Sequence, residues 1–152
     1  TWSPNKISYT GNNRTHMIRI PDPGRFELRL MDGATNPYLL QAGILAAGID
    51  GIEKKRNPGK PINVNMYEDG YKVKGAKKLP STLEKSLSHL NKSKILKDAF
   101  GKETVNSYIK LKNREINKYN SSKEKKIGFK GSKKGSKSNI ITQWEKDNTL
   151  DC

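Results

Sequence analysis

Four arginines lie close together in a chain that otherwise carries its positive charge on lysine. The sequence has 24 lysines and six arginines. Four of the arginines fall within 16 residues, with no lysine among them: Arg14, Arg19, Arg25 and Arg29. A planar guanidinium group binds phosphate or carboxylate through two parallel hydrogen bonds, which an ammonium group cannot do. The cluster therefore predicts a site that holds an anion.

A single carboxylate, Glu27, stands between the last two of these arginines. Charged and apolar side chains alternate here, so Glu27 is predicted to share one strand face with Arg25 and Arg29. The opposite face is predicted to pack on a core, and it carries Phe26, Leu28 and Leu30. The charged face allows two interpretations: a metal ligand between two anion-binding groups, or a structural ladder of ion pairs. The pattern alone leaves both open.

Two strands are predicted to position these side chains. Residues 15–20 have strand character, and the sequence Pro-Asp-Pro-Gly at 21–24 is a strong turn signal. Residues 25–31 form the second predicted strand. Because a short turn joins them, the strands are expected to pair antiparallel, which would bring Arg19 to the face of Glu27.

Helices are predicted for much of the remaining chain. The first begins after Asn36, a suitable N-cap, and is expected to end near Lys55. Its residues 38–49 are apolar on nearly all sides, which is typical of a helix buried on several sides. Residues 57–80 are predicted to be irregular. A capping-box pattern at Ser81 to Glu84 predicts the start of the next helix.

Two further helices and a low-complexity stretch follow. The helices are predicted over residues 94–100 and 103–119. Residues 121–138 are rich in serine, glycine and lysine and are predicted to be disordered. A tail, residues 139–152, has Trp144 and Leu150 as potential anchors.

The charge of the chain is unevenly distributed. The net charge is +15, but residues 1–50 hold five basic and four acidic groups, a balance of +1, so +14 falls in residues 51–152. The excess thus lies mostly outside the arginine cluster. The basic stretch 121–138 leaves open an alternative from another class, a non-catalytic nucleic-acid-binding module. Only Phe129 is available there for base stacking, so specific nucleic-acid binding is not expected.

The single cysteine, the two histidines and the hydropathy of the chain limit its expected location and chemistry. The one cysteine is Cys152, so no internal disulfide forms, and a cytoplasmic location is expected. No apolar run is long enough to suggest a membrane partner. His16 is predicted to be a packing residue and His89 a surface residue. Neither histidine, nor Cys152, is predicted to be catalytic.

Three sequence blocks resemble the glutamine synthetase family. NRTHMIRIP at 13–21, RFELR at 25–29 and DGATNPYL at 32–39 occur in the family's order and nearly its spacing, followed by AGIDGI at 47–52. A run of this length is far more specific than any one block. The tail also resembles the bacterial branch labelled type III. The resemblance implies that residues 1–120 are the C-terminal part of the catalytic domain. This is an α+β fold, with antiparallel strands lining the site followed by helices.

The resemblance also implies roles for the site residues. Arg14 and Arg19 match arginines that contact ATP phosphates, and Arg25 matches one beside the transferring phosphoryl group. Glu27 matches a metal ligand, and Arg29 matches the arginine that binds the substrate glutamate. The implied cofactor is Mg²⁺ or Mn²⁺, with ATP as co-substrate.

The implied reaction joins ammonia, or a small amine, to the γ-carboxylate of L-glutamate through γ-glutamyl phosphate. The family's other metal ligands and flap glutamate precede the matched region, and the chain begins with Thr1 rather than methionine. It is therefore expected to be a fragment that is inactive alone and part of a homo-oligomeric ring when complete. The chain has no lysine in the loop at 22–24, where the family has one. The amine, the ring size and any modification of Tyr67 stay open.

Overall fold

The computed structural model describes residues 3–31, 33–122 and 142–149. The chain divides into two compact units. One, here called the strand unit, contains Trp2–Asp32 and Arg56–Ser81. The other, here called the helical unit, contains Thr1, Gly33–Lys55 and Thr82–Cys152. The combination of a small sheet and a set of helices confirms the predicted α+β class.

A three-stranded sheet organises the strand unit. Its strands are β1 (Tyr9–Thr10), β2 (Ile18–Asp22) and β3 (Arg25–Leu28), in the order β1-β2-β3. β2 and β3 pair antiparallel as predicted, with Arg19 opposite Glu27. β1 pairs with β2 in parallel, which the sequence analysis did not predict.

The first predicted strand was placed wrongly at its start. Residues 15–17 lie in a turn, and β2 begins only at Ile18. The reason is local: the Asn13 side-chain oxygen accepts hydrogen bonds from the Thr15 amide at 3.0 Å and the Thr15 hydroxyl at 2.8 Å. Such asparagine-centred turns offer the backbone an alternative to a strand ladder. β2 then continues past Pro21 to Asp22 through a register irregularity, and the turn falls at Gly24, whose φ is 78°.

The later part of the strand unit is irregular, as predicted, and is fixed to the sheet by backbone contacts. The Ile62 amide donates to the Tyr9 carbonyl at 3.0 Å, and the Met66 amide donates to the Thr15 hydroxyl at 2.9 Å. A single 3₁₀ turn, Gly70–Lys72, follows. These bonds hold the segment against the residues that lead into β2.

The helical unit begins with α1 (Pro37–Glu53). Asn36 caps it as predicted, accepting from the first two free amides of the helix at 3.0 Å each. The expectation that α1 is buried on several sides is wrong for this chain, since Asp50 is its one buried residue and Ile52 is 79% exposed. The physical reason is that α1 packs mainly on one neighbour, α3 (Lys94–Phe100).

The described residues of this unit form three other helices: α2 (Leu83–Lys92), α4 (Lys102–Ser121) and α5 (Gln143–Thr149). Leu87 and Val105 supply its buried apolar contacts. The predicted capping box at Ser81 is one residue out of register, because Thr82 is the N-cap and its hydroxyl accepts from the Lys85 amide at 3.3 Å. Trp144 is an anchor as predicted, with its ring 5.4 Å from that of Tyr119.

The remaining predictions concern the apolar face of β3, the low-complexity stretch and membrane-spanning helices. The apolar face of β3 was expected to be covered, but Phe26 is 59% exposed because none of the other described elements shields it within the strand unit. Most of the low-complexity stretch 121–138, Leu150 and Cys152 lie outside the described residues. Among the described helices, none is long and apolar enough to cross a membrane.

Candidate anion and metal site

The antiparallel register of β2 and β3 builds the centre of the site. Because Arg19 is opposite Glu27, the two side chains emerge on the same face, and Arg19 Nη1 donates to Glu27 Oε1 at 2.6 Å. The Arg19 side chain is 12% exposed, whereas that of Glu27 is 39% exposed. The pair is therefore anchored on its buried arginine side and open to solvent on its carboxylate side.

Asn12, in the turn before β2, holds the opposite edge of the Arg19 guanidinium. Its side-chain oxygen accepts from Arg19 Nε at 2.9 Å and also from Arg19 Nη2. Arg19 is thus fixed between Asn12 and Glu27. A lysine could not make this arrangement, since an ammonium group has no planar edge to present to two acceptors at once.

The arginines lower the pKa of Glu27. The hydrogen bond from Arg19 holds the pKa of Glu27 below its ordinary value of 4.5, against a smaller opposing effect of desolvation. The positive charges of Arg19, Arg25 and Arg14 lower this pKa further. A carboxylate that stays charged and offers a hard oxygen atom is the kind of ligand that Mg²⁺ prefers.

The other predicted site arginines differ in what they contact. Arg25 forms an exposed ion pair with Asp22 at 2.7 Å across the hairpin. Arg14 is exposed, and none of the described residues forms a hydrogen bond with its side chain. Arg29 Nη1 is buried and has no hydrogen-bond partner among the described residues. Arg14 and Arg29 thus retain the donors that an incoming anion would need.

A second buried group without a partner lies on the same sheet face as Arg29. Ser8 Oγ, on a residue that is 6% exposed, forms no hydrogen bond within the described part of the chain. Ser8 and Arg29 lie on either side of the chain at Met17 and Ile18, because the Arg29 amide donates to the Met17 carbonyl at 2.8 Å and the Ile18 amide donates to the Ser8 carbonyl at 3.0 Å. Buried polar groups normally have partners, so this face is incomplete without further polar contacts.

His16 positions the turn that carries Arg14. It is fully buried (0% exposed), and its Nε2 donates to the Val64 carbonyl at 2.9 Å. The same carbonyl accepts from Asn13 Nδ2 at 3.2 Å. The prediction that His16 is a packing residue is confirmed, as is the exposed position of His89 on α2.

The arrangement fits a divalent metal as one ligand of a shared site, not as a complete one. No group of three potential metal-binding side chains occurs among the described residues. A lone carboxylate surrounded by three arginines cannot hold a cation unless other anionic groups join it. Glu27 therefore suits a site that borrows further carboxylates or phosphates.

Comparison with known proteins identifies the family. A model of the catalytic domain of glutamine synthetase matches residues 1–127. The chain belongs to the glutamine synthetase family. The glutamine synthetases of Rhizobium meliloti (strain 1021) and Rhizobium leguminosarum bv. phaseoli are 47% and 48% identical over 99% of the chain. The chain spans only 31% of the length of each of these relatives.

A relative with another named activity and two solved structures are also similar to the chain. The glutamate–methylamine ligase of Methyloversatilis universalis is 42% identical over 78% of the chain, which spans 27% of that protein. Two solved structures of GmaS, one a complex with ADP and one without ligand, are 43% identical to the chain. The structural alignments cover 99% of the chain, with TM-scores of 0.76 and 0.75. The chain spans 30% and 31% of the length of these two structures. None of these findings supports the alternative of a nucleic-acid-binding module.

Sequence reasoning found the charged residues of the site but missed its polar neighbours. Asn12 and Ser8 belong to no pattern that distinguishes them from other small polar residues. The Asn-Asn-Arg sequence at 12–14 is the one local signal that could have drawn attention to Asn12. Its role depends on the fold, which brings it alongside a residue seven positions later.

Proposed function

We propose that this chain is part of an ATP-dependent ligase that joins ammonia, or a small amine, to the γ-carboxylate of L-glutamate. In this reaction the carboxylate takes the terminal phosphoryl group of ATP, giving γ-glutamyl phosphate and ADP. The amine then attacks the acyl phosphate, an amide bond forms, and phosphate leaves. Such chemistry depends mainly on positioning and on neutralising negative charge.

The observation that carries this proposal is the Glu27 carboxylate among the arginines of β2, β3 and the turn before β2, with side-chain donors of Arg14 and Arg29 that have no partner among the described residues. Arg14 and Arg25 would neutralise phosphate oxygens, and Arg29, whose buried Nη1 has no partner among the described residues, would bind a carboxylate of glutamate. Arg19 would support the phosphates with the N–H groups not used by Asn12 and Glu27. Each role rests on the family resemblance together with this geometry.

Glu27 would be one ligand of a divalent ion, Mg²⁺ or Mn²⁺. Its Oε1 is engaged by Arg19, whereas its Oε2 has no hydrogen-bond partner among the described residues. When bound, such an ion neutralises phosphate charge during transfer. The remaining ligands would come from outside this chain, which agrees with its short span relative to its relatives.

Substitutions in the longer protein that we propose contains this chain, called the full-length enzyme below, test these roles. Glu27→Gln should lower kcat by at least about a hundredfold, since it removes charge stabilisation from the transition state. Arg29→Ala should raise the KM for glutamate about thirtyfold or more, because it removes a buried charged contact. Rates of phosphate release and amide formation, measured with ammonia and with methylamine, would report both effects and the preferred amine.

Two variants on α4 serve as matched controls. Glu115 forms a half-buried ion pair with Lys112 at 2.8 Å, and Arg114 is exposed. Glu115→Gln and Arg114→Ala should leave both kinetic constants near wild type, because neither residue belongs to the proposed site in the strand unit. Normal ligase activity in Glu27→Gln and Arg29→Ala would refute the site assignment.

The assembly and location of the full-length enzyme remain predictions. We expect a homo-oligomeric ring in the cytoplasm, which light scattering and fractionation would test. We also expect residues 1–152 alone to be inactive, because they offer one metal ligand. Amide formation by the isolated chain would contradict this.

A further inference from the structure

Asn12 has no role in the function proposed above, yet its side chain contacts the Arg19 guanidinium directly. It is exposed at the turn before β2, and its side-chain oxygen accepts two N–H groups from Arg19. No pattern in the sequence requires an asparagine at this position. The contact fixes the orientation of the Arg19 guanidinium, and the other contacts of Arg19 indicate what this orientation does.

The Arg19 guanidinium is shared between Asn12 and Glu27. Asn12 binds the Nε–Nη2 edge, which leaves Nη1 pointing at Glu27 Oε1, 2.6 Å away. Three of the five N–H groups of the guanidinium are thus committed inside the protein. Because a guanidinium is planar, fixing one edge fixes the direction of the other.

The same geometry determines which oxygen of Glu27 is available. Oε1 is taken by Arg19, while Oε2 has no hydrogen-bond partner among the described residues. A carboxylate rotates easily about its last bond, so an oriented donor on one oxygen decides where the other one points. Groups that orient metal ligands in this way strongly affect metal affinity in other proteins.

We propose that Asn12 is a positioning residue for the metal ligand Glu27. It holds the Arg19 guanidinium, which fixes one oxygen of Glu27 and leaves the other directed to a divalent ion. This inference rests on the proposed function, because it requires Glu27 to be a metal ligand. It assigns Arg19 a structural task at the carboxylate in addition to any contact with phosphate.

Metal binding without substrates provides the test. Mn²⁺ would be titrated into the full-length enzyme in the absence of ATP and glutamate, with free Mn²⁺ followed by electron paramagnetic resonance. Asn12→Leu keeps a similar side-chain size but removes the acceptor, and it should weaken Mn²⁺ binding about tenfold, at the low end for such positioning residues because Asn12 is exposed. Asn12→Asp keeps the acceptor oxygen and should stay within about twofold of wild type.

Further measurements separate positioning from a general effect on folding. Asn113→Leu, an exposed asparagine on α4, should leave Mn²⁺ binding unchanged. Asn12→Leu should not change the KM for glutamate, since no hydrogen bond or ion pair joins Arg29 to Asn12 or Arg19 within the described part of the chain. In a Glu27→Gln background, Asn12→Leu should weaken Mn²⁺ binding no further, because the group that it orients is gone.

The outcomes distinguish this inference from the function on which it rests. Wild-type Mn²⁺ affinity in Asn12→Leu, with weakened affinity in Glu27→Gln, would overturn the inference alone. Equal weakening in Asn12→Leu and Asn12→Asp would also overturn it, because the acceptor would then be irrelevant. Wild-type affinity in Glu27→Gln would refute the metal-ligand assignment in the proposed function.

Discussion

Replacing His16 with alanine should loosen the contact between the Arg14 turn and the segment around Val64. His16 is fully buried, and its Nε2 donates to the Val64 carbonyl at 2.9 Å. The substitution removes both the ring and this bond. The Val64 carbonyl keeps its bond from Asn13 Nδ2 at 3.2 Å, so no buried acceptor is left without a donor.

The expected size of the effect follows from three contributions. Loss of a packed side chain of this size costs about 1.5–3 kcal/mol. Loss of a neutral hydrogen bond costs about 1 kcal/mol. Against these, His16 Nδ1 is buried without a partner among the described residues, and removing it regains about 1 kcal/mol. The net loss in the free energy of local opening is therefore about 1.5–3 kcal/mol.

Hydrogen exchange of the Met66 amide would measure this loss directly. That amide donates to the Thr15 hydroxyl at 2.9 Å, so its exchange reports separation of the segment from the turn. His16→Ala should speed its exchange about 10- to 150-fold. The matched control is His89→Ala, on the exposed side of α2, which should leave it unchanged. Exchange of the Met66 amide in His16→Ala at the wild-type rate would refute the reasoning.

Three further predictions follow from other contacts. Because Arg19 lowers the pKa of Glu27, their interaction stabilises the strand unit above the carboxyl's ordinary value of 4.5, and this stability is lost as the pH falls through the lower folded pKa. The stability difference between wild type and Glu27→Gln in substrate-free acid unfolding should therefore shrink in that range, and a constant difference would count against it. Asn36→Ala should destabilise the start of α1 by about 1 kcal/mol, seen as faster exchange of the first α1 amides, whereas Asn36→Ser should retain most protection. Gly101 has a φ of 83°, and a Cβ built there would make only an ordinary contact with Thr104 Oγ1 at 3.8 Å, so Gly101→Ala should destabilise the α3–α4 junction by about 1–3 kcal/mol from backbone strain alone. Gly48 lies in α1 with nothing within 4 Å of its missing Cβ, so Gly48→Ala should stabilise the chain by about 0.5–1 kcal/mol. Chemical unfolding that ranks the two variants the other way would contradict this.

Local signals predicted the elements whose cause is local. Asn36 caps α1 because its side chain reaches amides two and three residues later, and Gly101 ends α3 with a backbone conformation that other residues avoid. The alternation from Arg25 to Leu30 likewise indicated one charged and one apolar face. The start of β2 was missed because the Asn13–Thr15 turn competes with the strand over a distance of two residues.

Burial was the property that local patterns predicted least well. The apolar composition of α1 indicates that the helix favours apolar contacts. Composition does not indicate which other element of the chain makes those contacts. Likewise, the alternation in β3 indicated an apolar face, but Phe26 on that face is exposed because no other described element of the strand unit covers it. Exposed apolar surface of this kind is typical of interaction surfaces, yet nothing in the described residues identifies what covers it.

The sequence by itself determined the kind of chemistry. Guanidinium groups at 14, 19, 25 and 29 indicate anion binding from residue type and spacing, and the resemblance to the glutamine synthetase family implies that Glu27 is a metal ligand. Only the tertiary structure decided how these groups are arranged. Strand register puts Arg19 against Glu27, a turn brings Asn12 to the other edge of Arg19, and a chain reversal of 48 residues brings Val64 to His16. Such contacts join residues through space, and no short sequence pattern records them.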